Sequence, residues 1–247
     1  LRRAVSALPA LVWSSLMPAG FESFRDGGGY QIVSDTPMLS LDRVVTVTGG
    51  PLDPNKGYST AFVWMENGEM VAVHTGGKQV AVIGKYNANL MLAVMGESYP
   101  SIECYVFRPH RPSGQNFGMQ IFDGGGNMTY DSGRAPFNIV TETWGPSPDY
   151  WLPAGRKYAV VVASTFVEIE TFVVYTGVGV QVDYMTFENC TTDFFRTFHD
   201  RVMVERVVYH QVVRGPFPFN QPTSVQNYKA NNNQPSRFFV VDVTNFS

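Results

Sequence analysis

A period of two residues recurs in almost every apolar run of this chain, and this period constrains the fold more than any other feature. In residues 43–48, for example, β-branched side chains alternate between two faces up to the turn at Gly49, Gly50 and Pro51. Only residues 191–200 hint at a helical turn. About a dozen short strands separated by turns predict an all-β chain, an antiparallel β-sandwich with long loops and little helix. The predicted strands include residues 79–83, 87–95, 102–107, 157–164, 168–176, 178–187, 201–213 and 237–245.

The composition indicates a folded chain with few charges. Of its 247 residues, 44% are hydrophobic and 16% are charged, so it can bury a sizeable core. Its net charge is −3 and it has no lysine-rich or arginine-rich run, so we expect no nucleic-acid partner. No apolar run is long enough to span a bilayer. The low charge favours a surface that is covered by partner proteins.

Proline and glycine clusters suggest how the chain is divided. Residues 1–20 resemble a signal peptide, but Pro9, Ser14 and Ser15 favour an N-terminal arm or docking segment. The cluster at 108–115 predicts a boundary between a β domain at 21–110 and a C-terminal β-sandwich domain at 116–247. Residues 215–236 contain four prolines and three consecutive asparagines, which predict an extended loop and a second arm.

Two hairpins are predicted from their turns. Asn67-Gly68 is the pair that a type I′ turn prefers, so strands at 60–65 and 69–74 are expected to pair directly. Residues 117–132 place two short alternating strands around the glycine-rich turn at 123–126.

The amino-acid sequence of the second hairpin is informative in addition to its predicted shape. It reads Phe-Gly-Met-Gln-Ile-Phe-Asp, then a Gly-Asn pair, then Tyr-Asp-Ser. This resembles a family of bacteriophage tail proteins whose shared segment runs Tyr-Gly-Leu-Gln-Val-Phe-(Asn/Asp)-x-x-Gly-x-x-x-Phe-(Asp/Ser)-Ser. The last strand, with Val-Val-Asp-Val-Thr at 240–244, is similar to the closing strand of such proteins. Residues 1 to about 110 lie outside the resemblance.

The resemblance implies a structural role in a virus particle. It suggests a minor protein of the virion tail, at the tail tip or fibre attachment region used for host attachment. Its expected partners are other phage tail proteins and copies of itself, as a trimer or hexamer. The family pattern assigns no catalytic residue and no cofactor, so we do not expect an enzyme.

Residues that could hold a metal ion have simpler explanations. The aspartates beside the glycine-rich turns match neither a calcium-binding repeat nor an EF-hand, and turn capping explains them: Asp26, Asp35, Asp123 and Asp131. The histidines lie on separate elements, without ligands at metal-binding spacing: His74, His110, His199 and His210. We therefore predict no metal site.

Other reactive side chains also lack a catalytic pattern. Cys104 and Cys190 are expected to be buried, reduced thiols. Glu168 and Glu170 share one face of a predicted strand, which fits solvated glutamates better than the two carboxylates of a glycosidase. No nucleophile elbow, phosphate-binding loop or complete dinucleotide pattern occurs in the sequence.

The best prediction for a binding site is an aromatic segment at residues 143–155, predicted as a loop. Trp144, Tyr150 and Trp151 could stack on sugar faces or anchor a protein interface. Alternatively, this loop folds back and plugs one end of the core. Exposed rings would favour a second function, in which the protein is a β-sandwich module that binds a host surface receptor or a carbohydrate.

Overall fold

The protein is an all-β chain, as predicted. A computed structural model describes residues 20–25, 28–33, 38–109, 111–115, 117–176, 183–217, 228–231 and 234–246. All the regular secondary structure in these ranges is β-strand. No helix in this part of the chain could cross a membrane.

The described residues contain eighteen strands, numbered in chain order. They are β1 (Gly20–Arg25), β2 (Gly28–Val33), β3 (Leu39–Thr48), β4 (Tyr58–Trp64), β5 (Met70–His74), β6 (Val80–Tyr86), β7 (Asn89–Met95), β8 (Ser101–Pro109), β9 (Gln120–Phe122), β10 (Met128–Asp131), β11 (Ile139–Trp144), β12 (Ser147–Trp151), β13 (Tyr158–Ser164), β14 (Val167–Thr176), β15 (Asp183–Thr197), β16 (Arg201–Phe217), β17 (Tyr228–Asn231) and β18 (Arg237–Asp242).

The chain forms two compact units. The smaller unit, Leu1–Met38 with His110–Gly133, contains the antiparallel pairs β1–β2 and β9–β10. The larger unit, Leu39–Pro109 with Arg134–Ser247, contains two larger sheets. The chain leaves the larger unit inside the predicted boundary segment and returns at Arg134. Strands from both predicted domains therefore enter the same two sheets.

The larger unit is a sandwich of two antiparallel sheets. The six-stranded sheet has the order β11-β18-β13-β5-β8-β3. The second sheet follows β12-β16-β15-β6-β7-β4, with β14 on β15 and β17 on β14. One core cluster combines Val106, Val160 and Phe238 of the first sheet with Leu92 and Phe195 of the second. Alternate side chains of both sheets thus face each other, as a period of two requires.

Both sheets also have an apolar outer face. On the six-stranded sheet, Tyr105 and Phe107 are buried beneath Phe137 and Phe246. The ring centroids of Phe107 and Phe137 are 4.8 Å apart. On the other sheet, a third apolar cluster is built around Phe194. Apolar residues on both faces explain why several strands here are nearly continuous hydrophobic runs.

The prediction of a hairpin at Asn67-Gly68 is wrong, because the two strands beside the turn do not pair with each other. The turn exists, and the Glu69 N–H donates to the Glu66 carbonyl at 3.3 Å. However, β4 pairs with β7, whereas β5 pairs with β8 and β13, so the turn connects the two sheets. Gly68 has a positive φ of 81° but Asn67 does not, which excludes a type I′ turn. Contacts distant in sequence, at the Glu69 side chain, override the local turn preference.

The predicted helical turn and the two predicted arms have different outcomes. The hint of a helix at 191–200 is wrong, because β15 runs to Thr197 and pairs with β16. The predicted N-terminal arm at 1–20 lies outside the described residues except for Gly20, and so does most of the loop at 215–236. The described part of that loop includes β17, which pairs with β14.

Candidate functional site

The three aromatic residues singled out by the sequence lie on two edge strands. β11 ends at Trp144, a turn follows at Gly145-Pro146, whose peptide bond is cis, and β12 carries Tyr150 and Trp151. β11 is the outer strand of the six-stranded sheet, and β12 is the outer strand of the path through the other sheet. The segment is therefore mostly strand, and the predicted loop is wrong over β11 and β12, because aromatic residues favour extended backbone at a sheet edge.

A buried carboxylate fixes the turn between these two strands. Asp193 has a fully buried side chain, and its oxygens accept hydrogen bonds from Arg206 Nε at 2.9 Å and Ser236 Oγ at 2.6 Å. The backbone carbonyl of Ser236 accepts a hydrogen bond from the Gly145 N–H at 3.0 Å. A Cβ atom on Gly145 would lie 2.8 Å from Asp193 Oδ2 and 2.9 Å from Val204 Cγ1. Glycine is therefore required where this turn packs on Asp193.

We expect Gly145→Ala to lower the free energy of unfolding by about 2 kcal/mol, because the added methyl group overpacks a buried, hydrogen-bonded site. Gly50→Ala is the control, since the nearest atom to a Cβ there is the Thr60 carbonyl oxygen at 3.8 Å. Urea unfolding of both variants measures the difference. Equal stability of the two variants would contradict the close packing at Gly145.

Both tryptophan rings face solvent beside an arginine. Trp144 is 52% exposed and Trp151 is 64% exposed. The Arg237 guanidinium carbon lies 5.3 Å from the Trp144 ring centre, and the corresponding distance from Arg201 to Trp151 is 5.2 Å. Neither ring therefore plugs the core, although Leu152 of the same segment packs against it. The exposure leaves the rings available for contact with a sugar or a protein.

A carboxylate completes each of these two groups. Glu142 accepts two hydrogen bonds from Arg237, and these hold the pKa of its carboxyl group below the ordinary value. Asp149 accepts a hydrogen bond from Arg201 at 3.1 Å. The surface therefore presents two flat aromatic rings, each beside a neutralised ion pair that can donate and accept hydrogen bonds.

Tyr150 has a different part in this surface. Its hydroxyl group lies 2.8 Å from Thr141 Oγ1, so it joins β12 to β11. Ile139 and Val140 are also exposed on β11, and no sequence pattern identified them. Neither arginine was identified from the sequence. Arg201 and Arg237 each begin a strand, and no pattern in the sequence places them beside a tryptophan.

The predicted hairpin at 117–132 is confirmed, with strands shorter than expected. The carboxylate of Asp123 accepts hydrogen bonds from the N–H groups of Gly125 and Asn127, each at 2.8 Å, and from Asn127 Nδ2 at 2.8 Å. Gly126 has a positive φ of 82°. These bonds confirm that Asp123 caps its own turn.

The base of the hairpin is held by Gly118, Asp131 and Ser132. A Cβ atom on Gly118 would lie 2.5 Å from Ser132 Oγ, which itself accepts a hydrogen bond from the Met119 N–H at 2.7 Å. Burial raises the pKa of Asp131, but hydrogen bonds, led by that from the Ser113 N–H, outweigh this effect and lower the pKa to about 2. The residues of the family-like motif therefore stabilise a hairpin.

The remaining candidates have structural surroundings. Cys104 and Cys190 are both buried and reduced, as predicted, and burial raises the pKa of the Cys104 thiol to about 12. Burial lowers the pKa of His74, whose Nδ1 lies 2.7 Å from the Tyr158 carbonyl oxygen. Across the described part of the chain, no three His, Cys, Asp or Glu side chains are grouped as metal ligands. Asp26, Asp35 and His110 lie outside the described residues, as does the side chain of His210.

Comparisons of the chain with protein-family models, with curated proteins and with solved structures found no match. A functional assignment therefore rests on the chain's own residues and on the resemblance of its two motifs.

Proposed function

We propose that the protein is a non-enzymatic structural component of a tailed bacteriophage virion. We place it in the tail as a minor tail protein, at the tail tip or fibre attachment region. The resemblance of the hairpin at 117–132 and of the closing strand suggests this class. Its mechanism is assembly, in which exposed apolar side chains on a rigid β framework pack against neighbouring tail proteins.

One observation carries the proposal: the hairpin holds large apolar side chains in solvent. Phe117 is 92% exposed, and Met119 and Phe122 are also exposed. Because backbone and carboxylate hydrogen bonds fix the turn and the base, little backbone conformational entropy is lost when the hairpin binds a partner. Exposed aromatic residues on a preorganised element are typical of interface anchors.

A recess beside the hairpin adds to this contact surface. It has a volume of about 360 Å³, and its lining includes Pro112, Phe117, Gln120 and Asp131. A side chain of a neighbouring tail protein that enters this recess would contact the Phe117 ring. Such an insertion buries an aromatic anchor and its pocket together, which is how a small interface gains most of its affinity.

Sheet edges supply further surface for copies of the same chain. On the edge strands β3 and β4, Val44, Phe62 and Trp64 are exposed, and Ile139 and Val140 are exposed on the edge strand β11. Edge strands have unpaired backbone N–H and C=O groups, which can lead to aggregation unless another chain covers them. We propose a ring-shaped homo-oligomer, a trimer or hexamer, in which such edges are covered. Protein counts on purified phage particles test this function.

A second candidate function is favoured by the exposure of Trp144 and Trp151. The two rings, each with an adjacent arginine and carboxylate, supply the stacking faces and hydrogen-bonding groups that sugars require. On this proposal the protein binds a glycan or receptor on the host surface. The aromatic surface belongs to the larger unit and the hairpin to the smaller one, so each can be altered by substitutions in its own unit.

We expect Trp151→Ala to weaken glycan binding at least about tenfold, because it removes the more exposed stacking face. Trp64→Ala is the matched control, since Trp64 is also exposed but lies on β4, the edge strand farthest from β12 in the path. A glycan array, followed by titration of any glycan that binds, gives the affinities. Equal loss in both variants, or no binding by the unaltered protein, would contradict the second function.

A further inference from the structure

A cavity of about 390 Å³ in the larger unit has an apolar lining. Most of the lining residues are valine, methionine, leucine or phenylalanine: Met65, Met70, Val71, Val73, Val82, Leu90, Val160, Val161, Val162 and Phe239. Ala163 and Glu69 complete it. Several of these side chains, including Met65, Leu90 and Val162, are only half-buried. The cavity can therefore be reached from solvent.

The cavity lies where the six-stranded sheet is weakly joined. β5 and β13 are neighbours, but they share a single register pair, Val73 with Val160. By contrast, β5 pairs with β8 through five residues. The lining combines Val73 and Val160 of the inner core with Met70 and Val161 of the outer cluster. The lining thus includes residues from both faces of this sheet, together with Val82 and Leu90 of the other sheet.

Charges beside the cavity restrict what can enter it. Glu69 is held by Arg43 at 2.7 and 3.0 Å, and Arg108 lies 3.3 Å from it. The same two arginines also contact Asp42 and Glu66. Two cations thus face three carboxylates, and the group has a net charge of about −1. Both arginines are already paired with carboxylates, and the net negative charge would repel an anionic ligand.

We propose that this cavity binds a neutral apolar molecule of roughly ten non-hydrogen atoms, such as a short alkyl chain with an uncharged head group. Its volume lies within the range of small-molecule sites, about 300 to 1,000 Å³. The methionine side chains, which are flexible and polarisable, adapt to such a ligand. The partly exposed apolar lining becomes covered when the site is filled. This inference is independent of the tail assignment.

The test uses three probes of equal chain length: 1-octanol, octanoate and octylamine. Methyl NMR spectra of the full chain report binding directly, because Met, Val and Leu supply most of the lining. We expect saturable shifts at the lining methyl groups with 1-octanol, and binding of octanoate at least about tenfold weaker, because of the negative charge beside the cavity. Octylamine should bind more tightly than octanoate.

A substitution that fills the cavity provides the control. Val162→Phe should weaken octanol binding at least about tenfold, because the larger side chain occupies the site. Val208→Phe makes the same change at an exposed position on β16, outside the cavity lining, and should leave binding unchanged. Leu90→Phe serves the same purpose if Val162→Phe does not fold. The proposal is overturned if the lining methyl groups show no saturable shift, if octanoate binds as tightly as 1-octanol, or if the filled variant binds as well as the original.

Discussion

Replacing Glu69 by glutamine should lower the free energy of unfolding by about 3 kcal/mol. Its side chain is only 1% exposed, and its oxygens accept hydrogen bonds from Arg43 and from the Glu66 N–H at 2.8 Å. Glutamine keeps the shape but removes the negative charge, so Arg43 loses its buried counter-ion. Urea unfolding followed by circular dichroism measures the change.

Glu66→Gln is the matched control, because Glu66 contacts Arg108 in the same cluster but is 45% exposed. We expect it to cost less than about 1 kcal/mol, as exposed ion pairs usually do. Similar small effects for both variants would contradict the view that Glu69 organises the turn between the two sheets.

The effect of Glu69→Gln should depend on pH. Hydrogen bonds from Arg43 lower the pKa of Glu69 in the folded protein. The stabilisation is therefore fully present above the unfolded-state pKa, about 4.3, and is lost as the pH falls through the lower folded-state pKa. The difference between Glu69→Gln and the unaltered protein should accordingly shrink when unfolding is measured in acid.

The largest functional effect is expected at the hairpin. Combining Phe117→Ser with Phe122→Ser should reduce incorporation into phage particles at least about tenfold, while the unfolding transition stays unchanged. Both rings are exposed, so their loss costs the free protein little. At an assembled interface, however, two truncated aromatic anchors cost well over the 1.4 kcal/mol that corresponds to a factor of ten.

Tyr86→Ser is the control for this experiment, since Tyr86 is an exposed aromatic residue at the end of β6, outside the hairpin. Particles assembled with each variant are purified, and the protein is quantified against the major tail protein. If the double variant is incorporated as well as Tyr86→Ser, the hairpin is not the assembly contact.

Much of the fold could be predicted because period two is a local property. The runs at 43–48, 157–164 and 237–245 became β3, β13 and β18 with small changes at their ends. In the structure, Val160 and Val240 lie opposite each other on β13 and β18, and both belong to the core. Apart from the hairpin at 117–132, the pairing of strands and their assignment to a sheet depend on contacts distant in sequence, which the local patterns used here do not encode.

The turn at Asn67-Gly68 shows where local reasoning fails. Its sequence suits a hairpin, yet Arg43 on β3 holds Glu69 and also donates a hydrogen bond to the Trp64 carbonyl at 3.0 Å. These contacts span more than twenty residues of the chain. These contacts stabilise the turn at which the chain passes from one sheet to the other. They outweigh the local preference for a hairpin turn, which contributes only a few tenths of a kcal/mol.

The sequence singled out three aromatic residues, but it did not predict their secondary structure. Trp144, Tyr150 and Trp151 were chosen as aromatic residues in a loop, and the structure places all three on edge strands. The exposure of both tryptophans could not be predicted, because it depends on β11 and β12 lying at sheet edges, and strand order is set by contacts distant in sequence. The binding role of these residues stays a prediction.

The most direct test of the central proposal is quantitative mass spectrometry of density-purified phage particles from the source of this sequence. The proposal predicts that the protein is present at a low, fixed ratio to the major tail protein, with copy numbers that fit a trimer or hexamer at one position in the tail. Its complete absence from purified particles would contradict the structural role and leave the glycan- or receptor-binding module as the better account.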